Sequence, residues 1–167
     1  MADQDSPFWA YSLRFYADPD TQAACLDAQD RLGADVNVVL YVLFQASRGT
    51  RLDPDAVRTA DAAAASWRAR VVQPLRDLRR DLKTHPHPLP GAAQKAVRDG
   101  VKALELRAEQ AQQQHLEALN IGGREAPPAE AARNNLAAYA AMLNAAPDDP
   151  AFAALEHRFA QLLAAAT

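Results

Sequence analysis

The sequence predicts an all-α fold: a single-domain helical bundle of about six to seven helices, with a buried central helix at residues 36–47 and a long antiparallel helical hairpin. Two observations support this prediction. Alanine, the residue with the highest helix propensity, supplies 39 of the 167 residues, whereas glycine supplies 6. A Ser-Pro or Asp-Pro pair, which places a capping side chain before a proline in the first helical turn, recurs at positions 6, 18, 53 and 149.

Three helices are predicted in the first 50 residues. The first begins at Ser6, and the second begins at Asp18 and ends at Gly33. The third begins after Asp35 and ends before Gly49. Seven of the eleven aromatic residues precede residue 45, so we expect the best-packed part of the core in this region.

The third segment is ambiguous because residues 38–44 are seven consecutive apolar residues. By β-propensity this run is a candidate buried strand. We interpret it instead as a helix that is apolar on all sides and therefore central. Asp35 is a candidate N-cap, Gly49 a candidate stop, and no partner strand is predicted anywhere else in the sequence.

The fourth helix has the clearest periodicity. It begins at Asp53, and Pro74 is expected to kink it or split it in two. Its apolar residues recur every three or four positions, which places them on one narrow stripe: Val57, Ala60, Ala64, Trp67, Val71, Leu75, Leu78 and Leu82.

We expect residues 1–167 to form one domain. Residues 1–5 are a flexible N-terminus, and residues 84–91 form a proline-rich loop between the fourth and fifth helices. The fifth helix runs from about residue 92 to 120 and packs antiparallel to the fourth. A Gly/Pro loop at 121–128 precedes a C-terminal pair of helices.

Composition favours a cytoplasmic protein that does not enter a membrane. The longest apolar run has seven residues, far below the roughly 20 needed to span a bilayer. The first residues are acidic and show no basic segment or apolar signal core, so we expect no export. The single cysteine, Cys25, excludes an internal disulfide and fits a reducing compartment.

Three segments carry a family resemblance: F-W-A-Y-S-L at 8–13, A-C-L-D-A-Q-D-R-L-G-A-D-V-N-V-V-L at 24–40, and W-R-A-R-V-V-Q-P-L-R-D-L-R-R-D-L-K at 67–83. In this order they resemble an uncharacterised bacterial family, a domain of unknown function common in proteobacteria. The resemblance covers roughly residues 7–120. It implies a small cytoplasmic helical protein and brings no activity that can be transferred.

One candidate site is a polar pocket between helices two, three and four, lined by Asp30, Asp35, Asn37 and Trp67. Carboxylates grouped with an amide can hold Mg²⁺ or act as acid and base. The structural interpretation is simpler and preferred: Asp35 caps a helix, and Asn37 ties helix two to helix three.

The second candidate is a partner surface on helix four, formed by five basic residues: Arg68, Arg76, Arg79, Arg80 and Lys83. Such a face can bind a phosphate or an acidic protein, or it can simply be solvated and paired with neighbouring aspartates. Nucleic acid is disfavoured as a partner, since no aromatic residue lies among these arginines and no recognition motif occurs.

The functional hypothesis is a non-enzymatic protein-interaction or regulatory module that binds an unknown protein or itself. No catalytic residue, metal site or cofactor is predicted, because the spacings that such sites require are absent. Residues 1–35 hold seven Asp against two Arg, whereas residues 48–83 hold nine Lys or Arg against five Asp, so a polarised surface is expected. The alternative is a small-molecule-binding protein or enzyme that uses the polar pocket.

Overall fold

A computed structural model describes residues 6–165 and shows the predicted all-α, single-domain architecture. The helices are α1 (Pro7–Tyr16), α2 (Pro19–Leu32), α3 (Val36–Ser47), α4 (Pro54–Trp67), α5 (Gln73–Thr84), α6 (Gly91–Glu117), α7 (Pro128–Met142) and α8 (Pro150–Ala165). A π-helical turn, Arg68–Val72, joins α4 to α5, so these form one continuous rod. The predicted flexible N-terminus, residues 1–5, lies outside the described residues.

Local capping fixes the starts of the first three helices. The side chains of Ser6, Asp18 and Asp35 accept hydrogen bonds from the backbone N–H groups of the first turns of α1, α2 and α3. Gly33 ends α2 in the left-handed conformation, at φ 71°, as predicted for a C-terminal glycine. The caps therefore act on the helix boundaries that the sequence predicts.

The central helix is confirmed. In α3, nine of the twelve residues are buried, and the helix packs most extensively against α7, with α1, α2, α4 and α6 around it. The core is one cluster that includes α7 and α8, which add Leu136, Tyr139, Phe152, Leu155 and Phe159. The C-terminal helices thus complete the core that begins in the aromatic N-terminal region.

No strand was predicted outside residues 38–44, and the structure adds a small two-stranded sheet to the helices. Strand β1 (Thr50–Leu52) pairs antiparallel with β2 (Gly123–Glu125), which lies inside the predicted Gly/Pro loop. Asn135 of α7 stabilises this small sheet: its Oδ1 accepts from the N–H of Leu52 at 2.7 Å, and its Nδ2 donates to the carbonyls of Val42 and Thr50. The sheet fastens two loops together, and Leu52 of β1 packs into the core.

The α5–α6 pair is an antiparallel hairpin. Arg76 of α5 contacts Glu105 of α6, whereas Leu82, later in α5, contacts Gln94, earlier in α6. The two helices therefore run in opposite directions. The rod is not split at Pro74, but its regular α-helical bonding is interrupted just before this proline, at the π turn in which the N–H of Gln73 bonds the carbonyl of Arg68, five residues back. The hairpin extends the bundle on one side, and no residue of α5 is buried.

Candidate functional site

Asp35 lies at the centre of a buried polar network. One carboxylate oxygen caps α3 through the N–H of Asn37 at 2.8 Å. The other accepts from Arg68 Nη1 at 2.8 Å and from Gln112 Nε2 at 2.6 Å. The Asp35 N–H donates to the hydroxyl of Tyr139 at 2.8 Å. Four elements, α3, the π turn, α6 and α7, therefore meet at one buried aspartate.

Asn37 extends the network toward α1. Its Oδ1 accepts from Gln113 Nε2 at 2.8 Å, and Gln113 Oε1 accepts from the hydroxyl of Ser12 at 2.8 Å. All three side chains are buried. The chain of hydrogen bonds ties α3 to α6 and α1, whereas the sequence analysis expected a tie to α2.

Of the four predicted pocket residues, the structure brings together Asp35 and Asn37. Asp30 is on the surface of α2, where its side chain is 61% exposed and pairs with Arg80 at 3.3 Å. Trp67 lines a separate groove, described below. Asp35 and Asn37 therefore belong to the buried network, whereas Asp30 and Trp67 lie elsewhere on the molecule.

The predicted basic face turns largely inward. Arg76 uses three nitrogens on three partners: Gln29 at 2.6 Å, Glu105 at 3.2 Å and Glu109 at 2.7 Å. Arg79 makes a bidentate pair with Glu105. These contacts join α5 to α6 and reach α2, so the two arginines hold the hairpin against the body of the bundle.

The remaining basic residues differ in their surroundings. Arg68 bridges Asp35 and Asp61 at 2.8 and 2.9 Å, and Arg80 pairs with Asp30. Lys83 is exposed near the end of α5. Four of the five cations proposed for partner binding are therefore engaged with carboxylates of their own chain.

Sequence reasoning missed the acceptors and amides that α6 supplies, which are Glu105, Glu109, Gln112 and Gln113. Their signal was the polar stretch in the middle of this helix, at spacings that place them on one face. Burial raises the pKa of Glu109, with Arg76 opposing the shift. Burial also raises the pKa of Tyr139, which favours the neutral phenol that accepts from Asp35.

The network is suited to holding helices together. Its carboxylates are neutralised by arginines, Gln112 bonds Asp35 and Gln113 bonds Asn37, so no activated nucleophile is present in it. Burial raises the pKa of the Cys25 thiol to about 12, which keeps that sulfur protonated. Within residues 6–165, no group of three His, Cys, Asp or Glu side chains has the arrangement to hold a metal ion.

A second feature is an open apolar groove of about 410 Å³ between the α4–α5 rod and α6. The rod contributes Trp67, Arg70, Val71, Pro74 and Leu75, and α6 contributes Leu104, Arg107 and Ala108. The indole N–H of Trp67 donates to the carbonyl of Ala108 at 2.9 Å, which fixes the ring across the two walls.

The apolar stripe of the fourth predicted helix changes surroundings along its length. Val57, Ala60 and Ala64 are buried in the core. The stripe emerges at the end of α4, where Trp67 is 42% exposed, and beyond the π turn Leu78 is 46% exposed. On the facing helix, Leu104 is 52% exposed, and Val97 and Leu106 are also exposed. We call the exposed apolar side of Trp67, Val71, Leu75, Leu78 and Leu104 the hairpin face.

Fold and site define the class of protein: an all-α domain with a buried ionic network and an exposed apolar groove on a helical hairpin. Residues 7–116 match the family described as "Protein of unknown function (DUF2390)", and the chain belongs to this family. No curated protein sequence and no solved structure shows significant similarity to it. No helix in the described range combines the length and hydropathy that membrane crossing demands.

Proposed function

We propose that the protein is a non-enzymatic protein-interaction module and that the hairpin face is its binding surface. One observation carries this proposal: α5 has a strongly amphipathic sequence, yet none of its residues is buried. A helix with an apolar stripe normally buries that stripe against a neighbour. Here α6 covers part of the stripe, and the outer part, at Leu78, is left to solvent.

The exposure is contiguous, which gives it more weight than a single surface leucine. Exposed apolar residues are common when scattered, whereas a continuous patch typically marks a contact with another molecule. Trp67 and Leu78 come from the α4–α5 rod and Leu104 from α6, and Trp67 and Leu104 line the same groove. Tryptophan is also among the residues that most often dominate binding energy at protein interfaces.

Charge indicates the kind of partner. Residues 68–117, which comprise the π turn and the hairpin, carry ten Lys or Arg against six Asp or Glu, a surplus of four positive charges. The rest of the chain carries eight against fifteen. Two copies meeting through the hairpin face would bring two basic hairpins together, which costs free energy. The proposed partner is therefore a different protein with an acidic surface, and self-association is an alternative outcome of the test.

We do not extend the proposal to an enzyme or small-molecule binder at the predicted polar pocket. The oxygens of Asp35 and Asn37 accept hydrogen bonds from neighbouring helices, and Asp30 lies outside this network. A ligand there would have to displace internal partners of buried groups, at a cost of about 1–3 kcal/mol for each one left unsatisfied.

The test is affinity purification from the native host, followed by reconstitution with the purified partner. Leu78→Glu and Leu104→Glu place a charge in the hairpin face, and each should weaken binding at least tenfold, about 1.4 kcal/mol. Leu13→Glu is the matched control, because Leu13 on α1 is 54% exposed, close to the exposure of Leu104. Circular dichroism verifies that all three variants are folded.

Two results would overturn the proposal. The first is a purified partner that binds Leu78→Glu and Leu104→Glu as tightly as the wild type. The second is a protein that is monomeric in light scattering and that retains no other protein above background in the affinity purification. If no other protein is retained and the wild type forms a dimer that Leu104→Glu abolishes, the partner is a second copy of this chain instead of an acidic protein.

A further inference from the structure

We infer that the groove between Trp67 and Leu104 receives one amphipathic α-helix of the partner, with acidic residues on both sides of its apolar stripe. This inference rests on the proposed function and specifies the partner's structure and charge. The groove is the concave part of the hairpin face, with walls supplied by two antiparallel helices. Grooves of this kind commonly accept a helix through apolar residues spaced three or four positions apart.

The groove is pre-formed, which favours a helix over a flat or adaptable contact. The hydrogen bond from Trp67 to the carbonyl of Ala108 holds the indole in place at 2.9 Å. Pro74, whose ring restricts the backbone, lies in the same wall. A pre-formed apolar surface reduces the conformational entropy lost on binding.

An extended peptide is disfavoured because it would need a free strand edge near the groove. In residues 6–165 the sheet is confined to Thr50–Leu52 and Gly123–Glu125, and neither strand contributes to the groove. Both walls are helical, so their backbone groups are mostly bonded within their own helices. Side-chain packing between helices is then the available mode of recognition.

The two cations in the groove supply the charge preference. Arg70 lies in the rod and Arg107 in α6, so each wall carries one guanidinium. Both side chains are exposed, and neither forms an ion pair with a carboxylate of the described residues. Arg76 and Arg79 on the same hairpin are saturated by Glu105 and Glu109. Arg70 and Arg107 are thus available to carboxylates that flank a bound stripe.

An anionic membrane also presents negative charge beside an apolar phase. The observations favour the protein helix, because the apolar residues surround a concavity and the indole is fixed within the wall. Membrane binding instead requires an apolar face that is buried about 5–10 Å into the bilayer interface, which a recessed groove does not provide. Vesicle binding is therefore included as an outcome of the test.

The experiment uses the Trp9→Phe variant, in which Trp67 is the sole tryptophan. A displayed library of 18-residue helical peptides, with random apolar stripe and flanking positions, is selected against it. We expect enriched peptides to carry Leu, Ile or Phe at three- and four-residue spacing and Asp or Glu at the flanks. A synthetic copy of the most enriched peptide should shift the Trp67 emission to shorter wavelength.

Charge reversal provides the decisive comparison. Arg70→Glu and Arg107→Glu should each weaken binding of the acidic peptide at least tenfold. Each should also improve binding of the same peptide with lysine in place of the acidic flanking residues. Lys83→Glu is the matched control, because Lys83 is an exposed cation of α5 that does not line the groove. Its effect on both peptides should be less than twofold in 0.15 M salt, because a charge that does not contact the bound peptide is largely screened.

The outcomes separate this inference from the proposed function. If the enriched peptides lack acidic flanks, or if Arg107→Glu and Lys83→Glu have equal effects on binding, the inference of an acidic helix is overturned. The proposal that the hairpin face is a protein-interaction surface then still stands. Failure of every peptide, together with Leu104-dependent binding to phosphatidylglycerol vesicles, overturns both, since the hairpin face would then bind lipid.

Discussion

Replacing Asp35 by alanine tests whether the buried network holds the helices together. Asp35→Ala removes the cap of α3, which typically costs about 0.5–2 kcal/mol. It also leaves the buried Gln112 amide without its acceptor, at a cost of about 1–3 kcal/mol. Arg68 loses one carboxylate but keeps Asp61 at 2.9 Å, so its contribution is smaller. The free energy of unfolding should fall by about 2–4 kcal/mol.

The assay is urea unfolding at neutral pH followed by circular dichroism, with thermal unfolding as a second readout. A protein of this length loses about 2–4 °C of Tm for each kcal/mol, so the Tm should fall by on the order of 10 °C. Asp35→Asn should lose about half as much as Asp35→Ala, because it keeps a capping oxygen and Gln112 can turn its unpartnered Oε1 toward the new amide.

Asp30→Ala is the matched control for Asp35→Ala. Both aspartates belong to the predicted pocket, but Asp30 is exposed and pairs only at the surface, so its loss should cost less than about 0.5 kcal/mol. Equal stability losses for the two alanine variants, or a loss below about 1 kcal/mol for Asp35→Ala, would refute the assignment of the network as a structural tie.

Three further measurements address other parts of the chain. Gly123→Ala should lower stability by about 1–3 kcal/mol, because a Cβ there would lie 2.9 Å from a carbonyl oxygen of the paired strand; in urea unfolding, Gly122→Ala, which meets nothing within 4 Å, should match the wild type. Cys25 should react with Ellman's reagent at pH 8 only after unfolding, since burial raises its pKa to about 12; rapid labelling of the native protein would contradict this. The hydrogen bond from Arg31 lowers the pKa of Asp149, so this carboxylate stabilises the fold above about pH 4 and the benefit disappears as pH falls through its folded pKa. Asp149→Asn should therefore flatten the acid side of the stability profile, and an unchanged slope between pH 5 and 2 would refute the pairing.

The helices could be predicted because their signals are local. Ser6, Asp18 and Asp35 each bond a backbone N–H within their own first turn, so a few neighbouring residues suffice to define each start. The burial of α3 could also be predicted, because a helix that is apolar on all sides has no polar face to turn toward solvent.

The small sheet could not be predicted by the same reasoning. Thr50–Leu52 is too short to show an alternating pattern, and its partner Gly123–Glu125 lies about seventy positions away. The residue that secures it, Asn135, belongs to α7 and bonds three backbone groups in a different part of the sequence. Pairing of this kind depends on the assembled fold, which no local window contains.

In the candidate site, too, only the residues with a local sequence signal could be predicted. Asp35 and Asn37 were identified because they precede an apolar helix, where a polar residue needs a cap or a partner. Their partners on α6 were missed, since glutamines in the middle of a long helix also fit a solvated face. Only the packing of α6 beside α3 reveals that Gln112 and Gln113 face inward.

The π turn at Arg68–Val72 links the network to the groove. It adds one residue to the turn, so the side of the rod that faces the core continues from Ala64 through Arg68 and Val72, both of which approach the body. Trp67 and Val71, which a regular helix would have kept in the buried stripe, consequently line the groove. The same local distortion that directs an arginine to Asp35 therefore turns apolar residues toward solvent. That exposure is compatible with stability because the ion pairs of Arg68 and Arg76 hold the rod in place from its inner side.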